Sequence, residues 1–209
     1  MAVTASRCGR RRAVFLDKDG TLVEDVPFNV DPARIRLARR AEEAVRRFAD
    51  AGFVVAIVSN QPGVARGLFD ERALSAVASD LSTRLAALGV PLSGFYYCPH
   101  DPLGTVERYR RVCDCRKPAP GLLARAAREL DLDLGASWLV GDILDDIEAG
   151  RRAGCRTVLV DNGNETEWHV DTGRLPHHIV DDLEQAARII VELDAVHFER
   201  AAALADGTR

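Results

Sequence analysis

The chain has 209 residues, 47% hydrophobic and 29% charged, with a net charge of −4. That length suits one domain with a real core, and that charge gives no global pull toward nucleic acid or an anionic membrane. No apolar run approaches the ~20 residues of a spanning helix, the first twelve residues lack an apolar signal core, and the five cysteines have no framework spacing. The expectation is a cytoplasmic, monomeric, enzyme-sized domain.

Residues 1–12 read as a flexible polar leader, residues 13–195 as a single domain, and residues 196–209 as a C-terminal helical extension. Ala13, Val14, Phe15 and Leu16 form a short apolar run, expected as a buried strand. It delivers Asp17 and Asp19 to its end, followed by Gly20 and Thr21. Residues i and i+2 point the same way along a strand, so both carboxylates can face one site. Ligands of an open α/β sheet bind outside the carboxyl ends of its strands. Residues 22–36 carry Pro27, Asn29 and Pro32 and read as a loop, with Asp25, Val26, Pro27 and Phe28 as expected substrate contacts.

Residues 41–51 show helical apolar spacing and end at Gly52. Residues 53–58 are continuously apolar, hence a strand buried on both faces, and they run into Ser59, Asn60, Gln61, Pro62 and Gly63. A parallel neighbour of the first strand brings Ser59 close to Asp17. Residues 70–88 read as a helix capped by Asp70, 95–97 as a strand, and 120–130 as a helix. Residues 138–140 read as a strand ending in Gly141-Asp142, 143–153 as a helix, and 157–160 and 179–180 as strands. A last helix, capped by Asp181 or Asp182, runs toward Leu204, and its stripe of Ile189, Ile190, Leu193 and Val196 is expected to pack in the core. This alternation means βαβ units and a parallel sheet covered on both faces. The fold class is α/β, a three-layer doubly wound parallel sheet with no large cap domain.

Three strand ends carry polar chemistry: Asp17/Asp19, Ser59/Asn60, and Asp142 with Asp145/Asp146. Lys117 precedes a helix, where a loop returns to the site. Carboxylates, a hydroxyl and a cation at one sheet edge suit Mg²⁺ plus a phosphoryl group. A second signal is Cys98-Pro99-His100 followed, after twelve residues, by Cys113-Asp114-Cys115. Three thiolates and an imidazole make a closed tetrahedral set for structural zinc. Zinc-ribbon knuckles of nucleic-acid modules usually have two-residue gaps. The one-residue gaps here, inside an enzyme-like sheet, read as a metal pinning a loop over the site. Cys155 reads as a small core residue and Cys8 as a free thiol.

DKDGT, the Ser59 strand end, Lys117 before a helix, and GDILDD resemble the four motifs of the haloacid dehalogenase (HAD) superfamily of phosphatases over residues 13–160. The resemblance implies that Asp17 is the nucleophile forming an aspartyl phosphate and that Asp19 is the acid and then the base. It also implies that Asp17, the backbone carbonyl of Asp19 and Asp142 hold Mg²⁺, and that Ser59 and Lys117 grip the phosphoryl oxygens. Asp146 would orient water or Lys117. The zinc loop is similar to that of the branch holding heptose bisphosphate phosphatases and histidinol-phosphate phosphatases. YYCPH, NQPGVARG and the long insert between His100 and Cys113 favour the former. The implied substrate is a phosphorylated sugar, contacted by Arg116, Lys117 and residues 59–62. Ile143 stands where that branch usually carries Lys, so that contact is not carried over and the exact sugar phosphate stays open. A non-catalytic zinc-stabilised binding protein is the contrasting reading, disfavoured because Asp17, Asp19, Ser59, Lys117 and Asp142 are all present.

Overall fold

Ala13–Leu16 (β1) forms the middle of a six-stranded sheet because every one of its side chains is apolar and fully buried. In the computed structural model, which describes the backbone of residues 10–206 and the side chains of residues 10–196, β1 pairs in parallel with Val54–Asn60 (β2) and Trp138–Gly141 (β4). Leu92–Cys98 (β3) flanks β2, while Arg156–Val160 (β5) and His178–Val180 (β6) extend the other side. The order is β3-β2-β1-β4-β5-β6 and every pairing is parallel. Parallel neighbours require long crossovers, and the helices Ala41–Asp50 (α1), Glu71–Ala87 (α2), Gly121–Leu130 (α3) and Leu144–Ala153 (α4) supply them.

The period of two along each strand divides the core into two layers. Val14 and Leu16, with Val55, Ile57 and Val140, pack against α1, α2 and the last helix, Leu183–Asp206 (α5). Ala13 and Phe15, with Ala56, Val58 and Leu139, pack against Leu122, Leu123 and Ala126 of α3 and Ala149 of α4. Each large side chain buried this way stabilises the fold by about 1.5–3 kcal/mol relative to exposure. Helix starts follow the expected chemistry: Asp70 accepts from the N–H of Ala73 at 3.1 Å, and Asp182, rather than Asp181, accepts from the N–H of Gln185 at 2.9 Å.

Several boundaries differ from the sequence expectation. β2 continues through Ser59 and Asn60, and β3 begins at Leu92 rather than Phe95. Ser93 and Gly94 hide that start, because neither signals a strand, yet Gly94 pairs with Ala56 on the backbone alone. The loop at 22–36 contains a short 3₁₀ turn, Pro32–Arg34, capped by Asp31. The apolar stripe on α5 is only partly core: Ile190 is fully buried and Ile189 packs against the core, whereas Leu193 and Val196 are exposed. The buried line along α5 runs instead through Leu183, Ala187, Ile190 and Asp194, and Asp194 pairs with Arg12 at 2.9 Å. α5 runs unbroken across residues 195 and 196. Of the expected leader, residues 1–9 and with them Cys8 lie outside the described residues, while Arg11 bridges to Leu132. Among the described residues no helix is long and apolar enough to cross a membrane.

Candidate active site

β1 and β4 are the neighbours at which the chain reverses the direction of strand addition, and in such sheets the crevice at the carboxyl ends lies there. Asp17 follows β1 and Asp142 follows β4, with the N–H of Asp17 bonded to the carbonyl of Val140 at 2.9 Å. The ligand atoms of Asp17, Asp142 and Asp146 all lie within 4.8 Å of one another, and all three residues are buried. A cavity of about 210 Å³ opens onto Asp17 and Asp142, lined also by Asp19, Asp25, Ser59, Asn60, Lys117, Ile143 and Asn164.

Lys117 is the cation of this cluster. Its Nζ contacts Asp17 Oδ1, lies 2.5 Å from Asp146 Oδ1 and donates to the carbonyl of Val58 at 3.0 Å. Burial by itself would lower its pKa, but the charges of Asp146 and Asp17 outweigh that and raise it, so Lys117 stays protonated. Asn60 fixes the backbone that carries it. Asn60 Nδ2 donates to the Lys117 carbonyl and Asn60 Oδ1 accepts from the Lys117 N–H, each at 3.0 Å.

Asp142 is held by two donors from distant parts of the chain, Thr21 Oγ1 at 3.0 Å on Oδ1 and Asn164 Nδ2 at 2.7 Å on Oδ2. Even so, burial first and the charge of Asp17 second push its pKa up to about 7. Gly20 allows this approach: it adopts φ +84°, and a Cβ there would sit 2.0 Å from Asp142 Oδ2. Asn162 Nδ2 donates to the Gly20 carbonyl at 2.6 Å, and Glu165 Oε2 accepts from the N–H of Leu144 at 2.6 Å, capping α4. None of Asn162, Asn164 and Glu165 stood out in the sequence. The one available hint was their place directly after β5, a fourth polar strand end beside that of Asp142.

Asp19 sits at the rim. Lys18 Nζ contacts its Oδ1, and Gln61 Nε2 donates to its Oδ2 at 3.0 Å. Burial raises the Asp19 pKa; Lys18 opposes this and Asp17 adds to it. Ser59 is buried on β2 and its Oγ accepts from Gln61 Nε2 at 2.9 Å. The expected substrate contacts divide. Asp25, Ser59, Asn60 and Lys117 line the cavity, whereas Val26, Pro27, Phe28, Gln61 and Arg116 do not. Phe28 is exposed, with the Arg66 guanidinium 5.4 Å from its ring centre, and Arg116 Nη1 donates to the His100 carbonyl at 3.3 Å. Phe28 is turned to a guanidinium and Arg116 to a backbone carbonyl, each on a neighbouring loop.

The Cys-His loop forms a second centre at the end of β3. Cys98 Sγ lies 3.6 Å from His100 Nδ1, 3.5 Å from Cys113 Sγ and 3.0 Å from Cys115 Sγ. Cys115 Sγ lies 3.2 Å from His100 Nδ1 and 3.3 Å from Cys113 Sγ. Ligands 2.0–2.3 Å from a tetrahedral zinc would be separated by about 3.3–3.8 Å; these four donors, 3.0–3.6 Å apart, are gathered slightly tighter than that and are compatible with that ion. The loop is fastened to the turn after β2: Arg66 Nε donates to the buried Asp101 at 2.8 Å and the Val106 N–H donates to the Ala65 carbonyl at 2.8 Å. Cys155, expected in the core, is buried there and its thiol is pushed up to about 12.

Residues 114–186 match a family model described as HAD-hydrolase-like. The chain is 39% identical over 180 residues to the D-glycero-β-D-manno-heptose-1,7-bisphosphate 7-phosphatase of Photorhabdus laumondii, covering 86% of this chain and 89% of that protein. It is 41% identical over 152 residues to the protein of the same name from Escherichia coli K12, covering 72% and 80%. A crystal structure of a HAD-like phosphatase from Mesorhizobium loti superposes with a TM-score of 0.77 at 34% identity, covering 89% and 88%. The D,D-heptose 1,7-bisphosphate phosphatase of B. bronchiseptica, solved with magnesium and phosphate, gives 0.70 at 31%, covering 87% and 98%.

Proposed function

Because this chain belongs to the HAD-like hydrolases, in the family of the heptose bisphosphate 7-phosphatases, we propose that it is a Mg²⁺-dependent phosphomonoesterase that removes the 7-phosphate of D-glycero-D-manno-heptose 1,7-bisphosphate. The observation that carries this reading is the buried triangle of Asp17, Asp142 and Asp146 around Lys117, with Asp19 beside it at the rim.

Three buried carboxylates against one ammonium leave excess negative charge, and the Asp142 pKa is raised by burial first and by the charge of Asp17 second. Lys117 engages Asp146 and one oxygen of Asp17, which leaves Asp142 and the other Asp17 oxygen for a hard divalent ion that takes one or two carboxylates. The residues present therefore fit Mg²⁺, with Asp17, Asp142 and the Asp19 backbone carbonyl as its protein ligands. Bound there, Mg²⁺ supplies positive charge against the phosphoryl oxygens as the bond to the leaving group breaks.

An Asp17 carboxylate oxygen attacks phosphorus in line, and the ester P–O bond breaks. Asp19 donates its proton to the departing alkoxide, which a raised pKa allows near neutral pH. Asp19, now ionised, then takes a proton from water as the water oxygen bonds to phosphorus and the Asp17–phosphorus bond breaks. Inorganic phosphate leaves, and both aspartates return to their starting states. Ser59 and Lys117 hold the remaining phosphoryl oxygens, Lys117 as a fixed charge that needs no reorganisation. Asn60 and Asp25 line the cavity at this position, and Arg116, outside it at the Cys-His loop, is the planar donor for a second phosphate. Cys98, His100, Cys113 and Cys115 would hold zinc, which would supply a structural cross-link across the loop 98–115.

Phosphate release with Mg²⁺, comparing kcat/KM for the heptose bisphosphate and for histidinol phosphate, tests the reading, with ³¹P NMR showing which phosphate leaves. A strong preference for the heptose with loss of the 7-phosphate is expected. Comparable slow turnover of both would mean that the cavity wall at Ile143 serves a different phosphomonoester. No turnover of either with both metals supplied would overturn the enzymatic reading.

A further inference from the structure

We infer that Gln61 is a positioning residue for the acid–base step, its one side-chain amide tying the carboxyl of Asp19 to the hydroxyl of Ser59. The inference rests on the phosphatase reading above and goes beyond it by giving Gln61 a task other than touching substrate. Gln61 is 4% exposed and stands directly after β2. Its backbone N–H donates to the Cys98 carbonyl at 2.8 Å, which anchors it on the end of β3. A glutamine amide carries two hydrogens. Here both are spent, on Asp19 Oδ2 at 3.0 Å and on Ser59 Oγ at 2.9 Å.

Asp19 needs such a partner. Its side chain is 31% exposed, so packing alone does not hold it. A carboxyl on a free χ1 has three staggered wells, of which one aims its proton at the ester oxygen. Lys18 contacts the other carboxylate oxygen, but an ammonium is a point charge that sets no direction for the carboxyl it attracts. The Gln61 amide is planar and fixed at its backbone, and so it sets direction. By sharing this amide, the group that delivers the proton and the group that grips the phosphoryl oxygen keep a set separation. Misplacing a reacting group by about 1 Å can cost about 10²-fold in rate.

The leaving group separates this role from a merely structural one. An alkoxide leaves with the proton that Asp19 supplies, so its departure depends on Asp19 being aimed. A p-nitrophenolate leaves as a stable anion, and its P–O bond breaks without that proton. Ser59 and Asp17 serve both esters equally. The ratio of kcat/KM on an alkyl phosphate to kcat/KM on p-nitrophenyl phosphate therefore reads the aim of Asp19. It is independent of how much of a variant is folded.

The experiment measures that ratio for the Mg²⁺-loaded wild type, for Gln61→Met, which keeps the volume and loses the amide, and for Gln61→Asn, which keeps the amide and draws it back by one methylene. The heptose bisphosphate serves as the alkyl ester. The expected result is a ratio at least tenfold below wild type in both variants. A ratio within twofold of wild type in both, with wild type active on both esters, would overturn the positioning role and leave the phosphatase reading standing. A wild type that hydrolyses neither ester would overturn that reading, and this inference with it.

Discussion

The side chain of Asn60 grips the peptide backbone of Lys117 from both sides, donating to its carbonyl and accepting from its N–H at 3.0 Å each. The two residues are 57 positions apart, and one sits at the end of β2 while the other precedes α3. The sequence suggests Asn60 as a substrate contact. The fold uses its amide to set the height from which the Lys117 ammonium reaches Asp17 and Asp146.

Asn60→Ala should therefore lower kcat/KM by about 10- to 100-fold through misplacement of Lys117. Losing two bonds in a partly buried position should also cost about 1–3 kcal/mol of stability. Steady-state kinetics beside a chemical denaturation curve measures both. Unchanged kinetics in this variant would show that Lys117 finds its place without the clamp.

Gly20→Ala should abolish activity. The new Cβ would fall 2.0 Å from Asp142 Oδ2 and 2.4 Å from Asn164 Nδ2, at a φ of +84° that disfavours any side chain. Asp142 must then move, and calorimetric titration should find Mg²⁺ binding weakened at least tenfold. Full Mg²⁺ affinity would show that Asp142 is not a ligand.

Asp17→Asn should eliminate turnover while leaving the fold intact, because asparagine fills the same space and its oxygen can still accept from Lys117. Acid-quenched wild type exposed to ³²P-labelled substrate should carry label on the protein, and the variant should carry none. Appreciable phosphatase activity in Asp17→Asn would exclude the aspartyl phosphate route.

Magnesium affinity should depend on pH. A ligand carboxylate must be ionised to bind a cation, and Asp142 in the metal-free protein titrates at about 7. Its ionised fraction is about 0.9 at pH 8 and about 0.1 at pH 6, so binding should weaken about tenfold over that interval. The sign is that of a raised carboxyl pKa: the proton competes with the metal below the folded-state value and stops competing above it. Stabilisation by a fixed Mg²⁺ concentration should shrink correspondingly toward pH 6. A pH-independent dissociation constant would mean that Asp142 does not bind the ion.

Purified protein should contain about one tightly held zinc per chain, since the three thiols and the imidazole form a complete ligand set. Cys115→Ser should lose that zinc and lower the melting temperature, because the loop 98–115 then depends on its few hydrogen bonds to the turn after β2. Metal analysis that finds no zinc would remove the structural-metal assignment.

Sequence alone determined the order of strands and helices, the strand ends that carry Asp17, Asp19, Ser59 and Asp142, and the four side chains that gather in the Cys-His loop. These features are local: the apolar period of a strand or helix, a carboxylate two residues from another, a pair of ligands one residue apart. They survive in one dimension because neighbours in the chain stay neighbours in space. The tertiary structure decided which of those polar groups face substrate and which face each other. Asn60 and Gln61 follow Ser59 in the sequence and look equally available, but the packing of β2 against β3 turns one amide onto Lys117 and the other onto Asp19. Asn164, Asn162 and Glu165 enter the site from beyond β5, and the raised Asp19 pKa depends on burial and on the charges of Lys18 and Asp17 around it. Hydrogen-bond direction and local dielectric are set by atoms tens of residues away in the chain. No short stretch of sequence carries them, and only the closed fold brings them together.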